Sequence, residues 1–211
     1  MATTIRFLGA VKTVTGSRFL IESEKSKVMI DCGLYQGLKE LRLKNWEPFP
    51  IEPGTIDAVV ISHAHLDHCG YLPKLVREGF SGPVYATTYT AKLAAIVLRD
   101  SAKLQVEDAK YAKKKGYSKH KEPAALYTYE EAEAAIALFQ TVPFGKKFVV
   151  TADCEVIFHR SGHILGSSFL ELESDGKRII FTGDIGRGGH RILSNPDPIP
   201  SGKISALITE S

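Results

Sequence analysis

Short apolar runs separated by turn residues dominate the beginning and the end of the chain. The early runs are TIRFLGA, SRFLIES and KVMIDCG, and their spacing predicts consecutive strands joined as hairpins. More deeply buried strands are predicted in GTIDAVVIS and PVYAT. A later group of strands is predicted in CEVIFH, SSFLELES and KRIIFTGD, and the SDGK between the last two favours a hairpin turn.

Helical sequence lies between these two groups of strands. In YTYEEAEAAIALFQ, Thr128 and Glu131 have the spacing of a capping box, and the apolar residues that follow share one helical face. A second helix is predicted over residues 90–115, ending at Gly116, and a third over about residues 68–79. The order of strands, helices and strands predicts an α/β sandwich of sheets flanked by helices.

The composition is that of an ordinary water-soluble domain, with 44% hydrophobic and 24% charged residues in a chain of 211. The net charge of +3 is too small to predict nucleic-acid binding from the whole chain. No apolar run approaches a membrane span, and MATTIRFLGA lacks the features of a signal peptide, so we expect a cytoplasmic location and no membrane partner. Three cysteines without paired spacing predict reduced thiols.

Three of the seven histidines are crowded into the stretch VVISHAHLDHCGYLP. The predicted strand ends at Ser62, so His63 and His65 lie two apart in an extended loop and can face the same side. Asp67 and His68, at the start of the predicted helix, can turn toward a second point nearby. Because imidazoles suit Zn²⁺ and a carboxylate adds charge for a second ion, two adjacent metal sites are predicted. The alternative is a polar loop in which Asp67 caps a helix.

The stretch HAHLDH resembles the HxHxDH signature of the metallo-β-lactamase superfamily. Three further motifs of that family are matched in order and spacing, by Asp31 in MIDCG, His163 in SGHILGSS and Asp184 in FTGDIGR. Each short motif is weak alone, but together with HAHLDH they are specific. The resemblance implies an αββα sandwich, represented here by its N-terminal portion.

The resemblance also implies roles for these residues. One zinc ion is assigned to His63, His65 and His163. A second ion is assigned to Asp67 and His68, Asp184 is shared by both ions, and Asp31 orients the ligand loop from behind without binding metal. Asp67 and Asp184 are additionally expected to act in catalysis.

Longer stretches narrow the resemblance to the β-CASP branch of RNA- and DNA-processing nucleases. They are NWEPFPIEPGTIDAVVISHAHLDHCGYLP, DSAKLQVEDAKY, YTYEEAEAAIALFQTVPFG, SGHILGSS and ALITES. In that branch an acidic residue at the end of a strand opens the β-CASP insertion, and Glu210 occupies that place, with an expected catalytic role. We therefore expect residues 1–205 to be the N-terminal part of a metallo-β-lactamase domain and residues 206–211 to begin a β-CASP domain.

The implied function is zinc-dependent hydrolysis of phosphodiester bonds in RNA, as an endonuclease and also an exonuclease. Single-stranded DNA is a second candidate substrate, and a homodimer a candidate assembly. A small-molecule hydrolase is disfavoured by the ITES ending and the helical insert, and a non-catalytic RNA-processing scaffold by the intact ligand motifs. Since the family's remaining histidine ligand and its leaving-group acid match nothing in these residues, we expect the 211-residue chain alone to be weakly active or inactive.

Substrate evidence outside the resemblance is confined to one basic segment, AKYAKKKGYSKHK. Its lysines and tyrosines have two interpretations, either a surface that follows a phosphate backbone or a solvated helix end. The residues concerned are Lys110, Tyr111, Lys113, Lys114, Lys115, Tyr117, Lys119 and Lys121.

Overall fold

A computed structural model describes residues 3–115 and 123–210 of the chain. Two β-sheets face each other, and helices cover the outer face of the first sheet. Within the described ranges the last helix precedes the second sheet, so this part of the chain has the three layers α, β and β. The arrangement confirms the predicted α/β sandwich and represents part of the αββα domain.

The first sheet has six strands in sequential order. Its first three strands are antiparallel, which confirms the predicted hairpins, and the third to sixth are parallel. The strands are β1 (Thr4–Phe7), β2 (Phe19–Glu22), β3 (Lys27–Ile30), β4 (Ala58–Val60), β5 (Val84–Ala86) and β6 (Phe139–Thr141). The pattern of the sequence did not predict β6.

The second sheet has five strands in the order β11-β10-β9-β8-β7. They are β7 (Phe148–Thr151), β8 (Cys154–Arg160), β9 (Ser168–Ser174), β10 (Lys177–Phe181) and β11 (Ala206–Ile208). The turn between β9 and β10 confirms the SDGK prediction: Asp175 and Gly176 both have positive φ, 49° and 67°, as a two-residue hairpin turn requires.

Among the described residues, five α-helices fill the connections on the outer side of the first sheet. They are α1 (Lys39–Lys44), α2 (Leu66–Cys69), α3 (Leu72–Arg77), α4 (Thr88–Lys115) and α5 (Tyr129–Ile136). The predicted capping box of α5 is confirmed, because the Glu131 N–H donates to the Thr128 hydroxyl and the Thr128 N–H donates to the Glu131 carboxylate. The predicted end of α4 at Gly116 lies outside the described residues. None of the described helices is long and apolar enough to cross a membrane.

The prediction of one helix over about residues 68–79 is wrong. Two short helices occupy this region, and the first begins two residues before His68. The second has Pro73 in its first turn. Proline has no backbone N–H to donate to the preceding turn, so it is tolerated where a helix starts and ends the helix before it. As a result Asp67 and His68 belong to a single helical turn of their own.

Buried side chains form two cores, one on each face of the first sheet. Along β4, Val59 packs toward the helices, whereas Ala58 and Val60 pack toward the second sheet. This alternation follows from the period of two in a strand, and it explains why every residue of β4 is buried. The three cysteines are buried and free, as predicted. The loop after β4 therefore leaves from between two packed layers.

A glycine lets two backbone segments meet beneath this loop. Gly33 donates its N–H to the Ser17 carbonyl, at 2.9 Å, and an added Cβ at Gly33 would lie 1.6 Å from the carbonyl oxygen of Asp67. Since that obstacle is backbone, no side-chain rotation could relieve it. The segment DCG thus supports the loop through direct backbone contact.

We predict that Gly33→Ala lowers the free energy of unfolding by about 1–3 kcal/mol or more, because the extra methyl group forces the backbones apart. Gly54→Ala is the matched control, since the nearest atom to its Cβ would be 3.5 Å away, and it should change stability by no more than about 0.5 kcal/mol. Urea unfolding followed by circular dichroism measures both. Equal destabilisation by the two variants would contradict the packing argument.

Candidate metal centre

Three histidine rings and one carboxylate converge where loops from both sheets meet. One ligating atom from each of His63, His65, His163 and Asp184 lies within 4.8 Å of all the others. Nδ1 of His65 is 3.1 Å from Nε2 of His63 and 3.2 Å from Nε2 of His163. Oδ2 of Asp184 is 3.3 Å from Nε2 of His163 and 3.6 Å from Nε2 of His63.

These spacings fit a four-coordinate metal ion. Ligand atoms about 2.0–2.1 Å from a tetrahedral ion lie roughly 3.3–3.4 Å from one another, close to the four distances of 3.1–3.6 Å given above. A neutral imidazole has one N–H, so the facing nitrogens cannot all be satisfied by hydrogen bonds to each other. Three imidazoles and one carboxylate are a donor set typical of a divalent transition-metal ion. The residues present therefore fit a metal.

Three loops bring the four ligands together. His63 and His65 follow β4, His163 lies between β8 and β9, and Asp184 follows β10. The backbone N–H of His163 donates to the Ser167 hydroxyl at 3.0 Å. Because the ligands come from both sheets, the site exists only when the sheets are packed face to face.

Asp31 is a buried carboxylate directly behind the ligand loop. It is 1% exposed and has a positive φ of 55°, a conformation that aspartate tolerates better than most residues. Its carboxylate accepts hydrogen bonds from the N–H of Ser62 at 2.8 Å, the hydroxyl of Ser62 at 2.9 Å and the hydroxyl of Ser17 at 3.2 Å. A fourth bond comes from Nδ1 of His68 at 2.7 Å. Sequence reasoning missed both serines, although Ser62 directly precedes the first histidine.

These bonds orient two of the histidine rings. The only hydroxyl hydrogen of Ser62 is donated to Asp31, so the hydroxyl oxygen accepts from Nδ1–H of His63, 3.1 Å away. His63 therefore presents Nε2 to the cluster. In the same way the Nδ1–H of His68 is held by Asp31, and Nε2 of His68 faces Asp184. Such outer hydrogen bonds typically fix the tautomer and orientation of metal-binding histidines.

Asp184 lies between two groups of potential ligands. Its Oδ2 faces His63 and His163, while its Oδ1 is 3.2 Å from Nε2 of His68. Asp67 is beside His68, with 4.0 Å between its Oδ2 and Nε2 of His68. Asp67 and His68 are thus next to the four-residue cluster and reach it through Asp184. Their assignment to a second metal ion stays a prediction.

The pKa values of the site's side chains are shifted in opposite directions, so that some histidines are neutral while His68 is favoured in its charged form. Burial, together with the nearby charge of His68, lowers the pKa of His63 well below its ordinary value, and burial lowers the pKa of His65. Burial also opposes protonation of His68, but the carboxylates of Asp31 and Asp184 outweigh it and raise its pKa to about 10. Although burial favours the neutral form of Asp184, hydrogen bonding and attraction to His68 lower its pKa. His63 and His65 are consequently neutral near pH 7, the form that binds metal.

Glu210 supports the loop that carries Asp184. The N–H of Ile185 donates to the Glu210 carboxylate at 2.7 Å, and the N–H of Glu210 donates to the Thr182 hydroxyl at 3.3 Å. Glu210, Asp184 and His68 line a cavity of about 270 Å³. A catalytic role for Glu210 stays a prediction.

The basic segment begins in the C-terminal part of α4, a helix that runs past the ligand loop. Near the start of α4, the Thr90 hydroxyl donates to the carbonyl of Gly166, which is in the His163 loop, at 2.8 Å. Farther along this helix of 28 residues, Asp100, Leu104 and Asp108 line a pocket together with His65 and Asp67. Tyr117, Lys119 and Lys121 lie outside the described residues. Either interpretation of the segment stays open.

Two facing mixed sheets, helices on the outer face of one, and a histidine and carboxylate cluster where the loops of the sheets meet are the features of part of an αββα fold with a site that can hold a metal ion. The sequence model of the Metallo-beta-lactamase superfamily matches residues 13–208 of this chain. The chain belongs to this superfamily, as the HAHLDH motif indicated.

Similar proteins carry names from RNA metabolism. Ribonuclease TTHA0252 of Thermus thermophilus is 35% identical over 91% of this chain and 40% of its own length. Cleavage and polyadenylation specificity factor 73 of Drosophila melanogaster is 32% identical over 98% of this chain and 28% of its own. Transcription termination factor FttA of Methanocaldococcus jannaschii is 29% identical over 98% of this chain and 31% of its own length. The chain thus spans well under half the length of these relatives, whose names are consistent with the RNA-processing branch.

A solved structure supports the fold alone. A protein of unknown function from Enterococcus faecalis V583 has a TM-score of 0.55 and 20% identity, over 87% of this chain and 43% of that one. At this identity the likeness concerns the path of the backbone. The chemistry must be inferred from the ligand cluster itself.

We predict that His63→Ala and His163→Ala each weaken metal binding by at least about 100-fold, because each removes one ligand from the four-residue cluster. Zinc binding is measured by competition with a chromophoric chelator. The control is His159→Ala, since His159 is bonded to Glu171 on the second sheet and is not in the cluster. Parental affinity in His63→Ala and His163→Ala would show that these residues are not ligands.

We predict that Asp31→Asn weakens metal binding by about 10- to 100-fold without changing the number of ligands. Asparagine keeps the shape and tolerates the positive φ, but it loses the charge that holds His68 and Ser62. The zinc competition assay gives the affinity, and X-ray absorption gives the ligand count. Unchanged affinity, or a lost ligand, would rule out the orienting role.

Proposed function

We propose that this chain supplies the metal centre of a zinc-dependent ribonuclease of the β-CASP branch, which hydrolyses phosphodiester bonds in RNA. The observation that carries the proposal is the position of Asp184, with one oxygen toward His63 and His163 and the other toward His68. A carboxylate placed in this way suits two adjacent ions, and pairs of ions are used widely in phosphodiester hydrolysis. The names of the relatives favour RNA as the substrate.

Each residue has a distinct task in this proposal. The first zinc would be held by His63, His65 and His163, and the second by Asp67 and His68, with Asp184 shared. When bound, zinc would lower the pKa of a water molecule that it binds and would stabilise negative charge on phosphate oxygens.

The rest is done by the chain. Asp31 keeps Nε2 of His63 and of His68 directed inward through the bonds to Ser62 and to Nδ1 of His68. Asp67, whose carboxylate is only partly buried, would bind the second zinc through one oxygen and accept a proton at the other. Glu210 fixes the loop of Asp184.

The wider assignments belong to the same proposal. Residues 1–205 would be the N-terminal part of the metallo-β-lactamase domain, and residues 206–211 would begin the β-CASP domain. The hydrogen bonding of β11 to β10 continues the second sheet toward Glu210, so the change of domain would occur beside the metal centre. A cytoplasmic location and a homodimer remain predictions.

The chain alone is expected to cleave RNA weakly at most, because it lacks a leaving-group acid. We predict that with excess zinc it still hydrolyses bis(4-nitrophenyl) phosphate, whose 4-nitrophenolate leaving group needs no general acid, and leaves a chromogenic β-lactam intact. Asp184→Asn should reduce the rate by at least about 100-fold, because the shared carboxylate stabilises both halves of the site. Asp175→Asn, the same chemical change in the β9–β10 turn, is the control. Preferential β-lactam cleavage, or equal phosphodiester rates in all three proteins, would contradict the proposal.

A chimaera tests the choice of RNA. Residues 13–208 of this chain would replace the matching part of ribonuclease TTHA0252, which supplies the remainder of a longer protein. We expect the chimaera to cleave a labelled RNA that the chain alone cleaves weakly or not at all, and Asp184→Asn to abolish the cleavage. A folded, zinc-loaded chimaera that leaves RNA uncut would count against RNA as the substrate.

A further inference from the structure

A buried arginine without an acidic partner lies beside the ligand loop. Arg18, directly before β2, is 3% exposed, and among the described residues no carboxylate forms an ion pair with it. Its Nε–H donates to the carbonyl of Gly33 at 2.7 Å, and an N–H of its terminal group donates to the side-chain oxygen of Asn45 at 3.2 Å. Its guanidinium carbon is 3.8 Å from the centre of the Tyr71 ring. Burying an unpaired charge is unfavourable, so these contacts must compensate for it.

Two of these contacts lie on segments that bracket the ligand helix α2. Gly33 packs its Cα against the backbone of Asp67. Tyr71 follows α2, and its N–H donates to the carbonyl of Cys32 at 2.9 Å. Arg18 therefore contacts both Gly33, in the segment behind the ligand loop, and Tyr71, the residue that follows the C-cap of α2.

The joined segments hold three successive carbonyl groups of α2. The N–H of Leu34 donates to the carbonyl of Leu66 at 2.8 Å. The N–H of Ser17 donates to that of Asp67 at 2.8 Å, and the N–H of Cys32 donates to that of His68 at 2.7 Å. All three bonds end on the turn that carries Asp67 and His68.

The geometry points to Arg18 as the positioning residue for the Asp67 and His68 half of the metal centre. The guanidinium group is planar and rigid, so its N–H donors fix Gly33 and Asn45 relative to each other. Its flat face stacks on the Tyr71 ring and so holds the residue that follows the C-cap of α2. Lysine could keep the charge but not this planar group. The inference rests on the proposed two-ion centre, and it makes Arg18 important for the second ion rather than for the first.

The test compares Arg18→Met and Arg18→Lys with a control for general destabilisation. Phe158→Leu is that control, because Phe158 is fully buried in the core between the sheets, whereas Ala64 and Leu66 of the ligand loop pack in the other core. Cobalt(II) titration, with its absorption bands, measures the two binding events. Amide hydrogen exchange at Ser17 and Cys32, the donors to Asp67 and His68, measures the support of the loop without any metal.

We expect Arg18→Met to weaken the second binding event by about 10- to 100-fold and the first by less than about threefold. Exchange at Ser17 and Cys32 should become at least about tenfold faster than in the parent, while amides of β8 and β9 change less. Arg18→Lys should fall between Arg18→Met and the parent, and it carries the test if Arg18→Met does not fold. Phe158→Leu should lower the melting temperature while leaving the ratio of the two affinities unchanged.

Three outcomes would overturn the inference. They are parental affinities in the arginine variants, equal weakening of both binding events, and the same loss in Phe158→Leu at equal melting temperature. If the unsubstituted protein bound no metal, the proposed function would be refuted. The amide hydrogen exchange at Ser17 and Cys32 would still decide whether Arg18 supports the loop. Failure of the inference and failure of the proposed function are therefore distinguishable.

Discussion

The buried carboxylate of Asp31 is the interaction on which the metal centre depends. It receives four hydrogen bonds from three different parts of the chain, two of them from the residue next to His63 and one from His68. A buried carboxylate is stable only when its oxygens are satisfied, so the fold must bring these donors together. The rings of His63 and His68, both candidate ligands, then take their orientation from one charge, and this explains how a loop exposed on one side can hold a defined geometry.

The supports beneath that loop are mainly backbone groups. Glycine at position 33 allows the chain to touch the carbonyl of Asp67, and Gly183, with a φ of 49°, brings the β10 loop against Ser62. Side chains at either position would occupy space that another backbone or the Asp31 network already fills. Local shape in this region is therefore set by the absence of side chains as much as by their presence. Arg18 adds charged contacts to Gly33 and Asn45.

Much of the fold and the site could be predicted because their signals are local. The strands follow from alternating apolar runs, the start of α5 from Thr128 and Glu131, and the ligand candidates from HAHLDH and three short motifs. The parts that were missed depend on distant contacts. Ser17 and Arg18 are ordinary strand-flanking residues in the sequence, and only the packing of β2 beside residues 31–35 gives them partners. The division of residues 68–79 into two helices is the exception, because it follows from a local signal, Pro73 in the first turn of the second helix.

The ligands come from positions 63–68, 163 and 184, which are separated by as many as about 120 residues of chain. Closing loops of that length is slow relative to forming local structure. The four candidate ligands at positions 63–68 therefore cannot meet His163 and Asp184 before both sheets have paired. Newly made chains would therefore reach a folded, metal-free state first and take up their ions afterwards. Stabilisation by metal then grows with free metal concentration relative to the dissociation constant, and scarcity of metal would shorten the lifetime of the finished fold rather than prevent its formation.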